Sequence, residues 1–286
     1  MGYFSTQDGT RIYFEEAGSG FPLVLLHPWP TDHGMWLFQE PVFSEDYRLI
    51  LPDSRGLGRS DKPETGYSLK RLSDDVNELL EHLGIDKAFV VGNSLGGAVA
   101  EKFALDHTEK VQGTVWIGAP TFPLDELVMD YDGRKNVPFV KVYTDELKAG
   151  YLNFWEKVWK PLMSFQYHEN FVKTYLGSYL IRYFFEDRYV RLNADPHGVI
   201  SILLDLQKEK SLDSELARLE IPSAIVCGDG DDTRPSCEKQ HASIPRAEFL
   251  VIKDSGHFCY QDQPEIFNHF LDGFLKRHAR RMKPAS

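Results

Sequence analysis

Val90-Val91-Gly92-Asn93-Ser94-Leu95-Gly96-Gly97 is a G-x-S-x-G, with a glycine two positions on either side of the serine. An apolar run, Ala88 to Val91, leads into it, and a run of helical character, Ala98 to Leu105, follows. A side chain presented at so sharp a strand-to-helix turn needs a strained backbone at its own position. It also needs almost no side chain at the two glycines, where the chain passes itself. The helix that starts there points its first amides at negative charge developing beside the serine. A serine hydroxyl is a weak nucleophile until a base takes its proton, and that base needs a carboxylate to orient it. Ser94 therefore predicts a histidine and an acid elsewhere in the chain.

Both are found downstream. Asp254-Ser255-Gly256-His257-Phe258 follows the last apolar run, Glu248 to Ile252, and His257 is the one of the ten histidines so placed. The run Ala224 to Cys227 enters Gly228-Asp229-Gly230-Asp231-Asp232-Thr233-Arg234-Pro235, a loop crowded with carboxylates. One of its three aspartates should orient His257.

Working outward, Asp8-Gly9 between the extended runs Tyr3 to Thr6 and Arg11 to Glu15 reads as an antiparallel hairpin. Pro22 to Leu26, Tyr47 to Leu51, Ala88 to Val91 and Val111 to Ile117 read as buried strands. Between them Leu69, Leu72, Val76, Leu79, Leu80 and Leu83 recur at helical spacing. Such alternation predicts an α/β fold, a mostly parallel sheet with helices on both faces. The alternation stops after Gly118 and resumes at Ser223 to Cys227, with a last helix from about Pro264. Residues 121–205 between them hold nearly half of the aromatic residues, and Phe171, Tyr175, Tyr179 and Tyr183 repeat every four positions. They read as a helical insertion that buries an aromatic face, either by simple packing on the sheet domain or with some of the rings walling a substrate pocket. The chain thus divides into residues 1–120 and 206–286 as two parts of one core, with 121–205 inserted.

The formal net charge of -11 sets the chain against phosphate backbones and anionic membranes as partners. The basic end, Lys276, Arg277, His278, Arg280, Arg281 and Lys283, reads as the solvated complement of a final helix's negative end. No apolar run is long enough for a bilayer, and the N-terminus lacks the charged-then-apolar pattern of a signal peptide, so a cytoplasmic location is expected. Cys227, Cys237 and Cys259 match no zinc spacing and fit a reducing compartment. Neither a metal nor a cofactor is expected. The partner expected is a small molecule, and a homo-oligomer is left open.

At this point the chain resembles the α/β-hydrolase superfamily over nearly its whole length. The order Ser94, acid, His257 is the family's order. Leu51-Pro52-Asp53-Ser54-Arg55-Gly56-Leu57-Gly58-Arg59-Ser60-Asp61 is similar to its D-x-R-G-x-G-x-S-D loop, and Gly228 to Pro235 to its G-x-x-D-x-x-x-P segment, whose aspartate falls on Asp231. The resemblance implies a mostly parallel eight-stranded sheet, makes 121–205 a helical lid, and casts Ser94, Asp231 and His257 as the catalytic triad. It takes one oxyanion-hole amide from Leu95 and the other from the loop after the third strand, here His27-Pro28-Trp29-Pro30, where the family usually has His-Gly. Proline has no amide hydrogen, so Trp29 is left as the second donor, with His27 and Trp36 as supports of the loop. Relatives that open epoxides or displace halide carry an aspartate at the elbow. A serine there implies acyl transfer, so carboxylic ester or lactone hydrolysis is the expected activity. The resemblance also holds C–C bond hydrolases of ring-cleavage products, cofactor-free perhydrolases and slow-turnover ligand receptors as alternatives.

Overall fold

The computed structural model describes residues 1–120, 124, 128–162, 167–193 and 195–279. Its first two strands, β1 (Gly2–Ser5) and β2 (Arg11–Ala17), form the hairpin, closed where Gly9 takes a φ of 84°. The chain then builds β3 (Phe21–Leu26), β4 (Tyr47–Pro52), β5 (Ala88–Asn93), β6 (Val111–Ile117), β9 (Ser223–Gly228) and β10 (Glu248–Ile252). These make one eight-stranded sheet in the order β1-β2-β4-β3-β5-β6-β9-β10. Only β2 runs against its neighbours; from β4 to β10 every pairing is parallel. Parallel strands are covered on both faces, which is why β5, β6 and β9 are buried along their whole length.

Helix Leu69–His82 is started by Ser68, whose side chain accepts from the Arg71 amide, and it buries Leu69, Leu72, Val76, Leu79 and Leu80. It packs against helix Leu95–Asp106 on one face of the sheet. Helix Pro264–Ala279 covers the other, with the Phe274 ring 6.4 Å from that of Phe89. Because the strands are parallel, the loops after β3, β5, β9 and β10 all emerge at one edge. That edge is where ligands bind open α/β sheets.

The segment between β6 and β9 departs from the helical expectation in two ways. It opens with an antiparallel hairpin, β7 (Val128–Tyr131) and β8 (Arg134–Pro138), before helices Phe139–Lys148 and His197–Leu206 and several short turns. The four-residue aromatic repeat also does not form one buried face. Tyr179 is 54% exposed and Tyr183 38%, and the two rings stack on each other in solvent, 6.2 Å apart. The reason is local: the chain turns between helices Glu169–Val172 and Tyr175–Ile181, then widens into a π-helix over Arg182–Arg188, so the inward positions shift to Phe184, Phe185 and Tyr189. Phe171 is half-buried against Tyr167, and the side chain of Tyr175 lies outside the described residues.

Lys276 pairs with Asp272 and Arg277 with Glu248, whereas Arg280, Arg281 and Lys283 lie outside the described residues. The three cysteines are free thiols, all buried. No helix among the described residues is long and apolar enough to cross a membrane.

Candidate active site

Ser94 stands between the end of β5 and the start of helix Leu95–Asp106 at φ 53°, ψ -117°, a conformation that non-glycine residues seldom take. Its amide donates to the Ile117 carbonyl at 2.8 Å and its carbonyl accepts from the Ala98 amide at 2.9 Å, which fixes the turn from both sides. A Cβ on Gly92 would collide with the Gly96 carbonyl, and one on Gly96 with the Leu26 carbonyl at the end of β3. Leu95 is the first helical residue, so its amide has no acceptor within the helix.

His257 follows β10. Its Nδ1 lies 3.0 and 3.1 Å from the two carboxylate oxygens of Asp231, which follows β9. Asp231 is buried and also accepts from the Thr233 amide at 2.8 Å. Burial acts against the charge of both groups, but each stabilises the other's ion: the Asp231 carboxyl is held below its usual range and the His257 imidazole above its own. The neighbouring acids differ. Asp229 accepts from the Ser255 amide at 3.2 Å, and Asp232 is exposed. With Nδ1 engaged, Nε2 is the ring nitrogen left to exchange protons.

Among the described residues no hydrogen bond joins Ser94 Oγ to the His257 ring; the two loops are joined one residue earlier. Asn93 Nδ2 donates to the carbonyls of Ile117 at 2.9 Å and of His257 at 3.3 Å. Gly118, at φ 52°, lets the chain pass under the pair, since a Cβ there would lie 2.9 Å from both Asp231 Oδ2 and His257 Nδ1. Sequence reading missed Asn93 and Gly118 as parts of the site. Gly118 carried a signal, because it ends an apolar strand where the alternation breaks.

The loop after β3 is held from within. The Pro28 carbonyl accepts from Thr31 Oγ1 at 2.6 Å, from the Thr31 amide at 3.1 Å and from His27 Nδ1 at 2.8 Å. His27 Nε2 accepts from the Ser54 amide at 2.9 Å, so the buried ring is the neutral Nδ1–H tautomer, and burial holds its pKa below the usual value. The Trp29 indole donates to the Val199 carbonyl at 3.0 Å, stacks on Tyr143 and meets Phe154 edge-on. Trp36 stacks on Tyr260, 4.6 Å between centroids. Asp32, His33 and Asp53 bring together donor types that hold metals. Their atoms are already engaged, with His33 Nδ1 on Asp53 at 2.6 Å and Asp32 taking Arg188 Nε and the Gly34 amide. They form a bonded network that braces the loop.

The family model described as alpha/beta hydrolase fold matches residues 22–264. A stretch of 105 residues is 46% identical to the soluble epoxide hydrolase of Corynebacterium sp. (strain C12), which covers 37% of this chain and 37% of that one. Est816, described as an N-acyl homoserine lactone degrading enzyme, is 30% identical with a TM-score of 0.73, over 96% of this chain and 100% of its own. An esterase from Thermogutta terrifontis superposes with a TM-score of 0.81 at 23% identity, over 96% of both chains.

Proposed function

The chain belongs to the alpha/beta hydrolase fold family and is a hydrolase, and from that premise we propose that it cleaves carboxylic esters or lactones of small molecules through an acyl-enzyme on Ser94. The observation that carries this reading is the strained Ser94 turn set at the same sheet edge as the Asp231–His257 pair, whose carboxylate is buried.

In the proposed cycle His257 Nε2 takes the Ser94 hydroxyl proton as the oxygen attacks the acyl carbon. The imidazolium that forms is stabilised by Asp231 through Nδ1–H. It then returns the proton to the departing alcohol oxygen, and water repeats the sequence in reverse to free the acid.

The oxyanion needs two amides. Leu95 supplies one at the helix N-terminus. For the second, the three donors gripping the Pro28 carbonyl favour Trp29: carbonyl and amide hydrogen point oppositely across a trans peptide, so fixing the first inward turns the Trp29 N–H away from the loop interior. The aromatic cluster of Trp29, Tyr143 and Phe154 beside the proposed oxyanion loop favours an apolar acyl group, with the insertion proposed as the lid.

Epoxide opening, the activity named for the Corynebacterium relative, calls for a carboxylate nucleophile where this chain has Ser94. Lactone cleavage, named for Est816, uses the same acyl chemistry as ester cleavage. Steady-state turnover of an acyl series of neutral aryl esters and lactones tests the proposal, with Ser94→Ala as the control. Loss of about 10⁴-fold or more in the alanine variant is expected; turnover surviving that change near the parent rate overturns it.

A further inference from the structure

The insertion reaches the proposed oxyanion loop at three successive points. Trp29 Nε1 donates to the Val199 carbonyl at 3.0 Å, Asn193 Nδ2 donates to the Pro30 carbonyl at 3.2 Å, and Arg188 Nε donates to Asp32 Oδ2 at 2.6 Å. The last differs in kind. The Asp32 side chain is fully buried, and its other oxygen accepts from the Gly34 amide at 2.9 Å, starting the short turn His33–Trp36 that ends the loop. A buried carboxylate is stable only when paired and hydrogen-bonded. Here its cation comes from 156 residues away, on the π-helix Arg182–Arg188. π-Turns inside helices are often found at functional positions.

We propose that Arg188 is a positioning residue for hydrolysis: by pairing with Asp32 it holds the loop that carries the Trp29 amide, so that the seating of the insertion sets the turnover rate. This rests on the oxyanion reading given above. A displacement of about 1 Å in such a donor suffices for roughly a 10²-fold loss, and it falls on the transition state, where the oxyanion exists, leaving ground-state binding unchanged.

The test measures kcat and KM on a neutral aryl ester for Arg188→Gln, Arg188→Lys, Asp32→Asn and the Asp32→Asn/Arg188→Gln double variant. Affinity for an aryl boronic acid, whose serine adduct mimics the tetrahedral intermediate, is measured beside them. Arg188→Gln should lower kcat by about 10- to 100-fold with KM within about twofold, and boronate affinity should fall by the same factor. Arg188→Lys, which keeps the charge and loses the planar fork, should fall between parent and Arg188→Gln; it carries the same split if the glutamine variant fails to fold. The double variant should be no worse than Asp32→Asn, because the two act as one unit. A kcat near that of the parent, a loss confined to KM, or additive losses in the double variant overturn the proposal. Ser94→Ala separates this from the reading beneath it: if that variant still turns over, the serine mechanism fails, and if it is inactive while Arg188→Gln is normal, only the role of Arg188 fails.

Discussion

At the residue scale, three neighbouring aspartates compete for His257 and one tryptophan amide faces the proposed oxyanion. The G-x-S-x-G and the loop positions of Asp231 and His257 were legible because each is a short motif at the end of an apolar strand. Composition alone left Asp229, Asp231 and Asp232 open, and only the family spacing separated them. In the structure Asp231 alone reaches the imidazole of His257. Asp231→Asn should therefore cost about 10⁴-fold in turnover through a wrongly held tautomer, while Asp229→Asn and Asp232→Asn, assayed alongside, should change it little. The pH profile follows from the same pair. His257 must be neutral to act as base, and burial, which lowers its pKa, is outweighed by the Asp231 charge. The acid limb of kcat/KM should then have a midpoint above the ordinary histidine value of about 6.5, measured on a neutral ester; a midpoint below that value contradicts the pairing. For the oxyanion, Trp29→Pro removes one amide hydrogen and should reduce kcat by roughly 10² to 10³ in a variant that melts like the parent. Trp29→Ala keeps the hydrogen and should act mainly on KM.

At the element scale the buried strands and the helix Leu69–His82 were readable, since period and apolar content agree there with burial. The insertion was not. Its four-residue aromatic repeat crosses a turn at residues 173–174 and a π-helix, and neither leaves a mark in hydropathy. The consequence is measurable in stability: Phe185→Ala, at a fully buried ring, should cost about 3–5 kcal/mol, whereas Tyr179→Ala, at an exposed one, should stay within about 0.5 kcal/mol by chemical denaturation. Between helices, buried Glu101 accepts from Gln240 Nε2 at 2.7 Å, and burial pushes its carboxyl up to about 8. The folded chain thus holds this proton more tightly than the unfolded one, so stability is greatest below the unfolded carboxylate value and declines as pH rises through about 8. Glu101→Gln should remove that decline, so that the variant gains stability relative to the parent between pH 6 and pH 9, measured by chemical denaturation at both values.

At the scale of the whole molecule, the alternation of strands and helices is a property of the entire chain, which is why a mostly parallel sheet could be anticipated from a single sequence, whereas the order of its strands could not. The contacts that join the insertion to the loop after β3 could not, because Arg188 and Asp32 are ordinary surface-type residues until the fold brings them together. The net charge of -11 also acts at this scale. It should repel anionic esters, so their KM should fall as salt is raised toward about 0.5 M while that of neutral esters stays constant. The most direct measurement for the central claim is mass spectrometry of protein quenched with acid within the first turnover of a neutral aryl ester. A burst of released phenol is expected, with the acyl mass on the peptide containing Ser94 and absent from Ser94→Ala. An acyl mass on any other residue, or full turnover with Ser94 replaced, would contradict it.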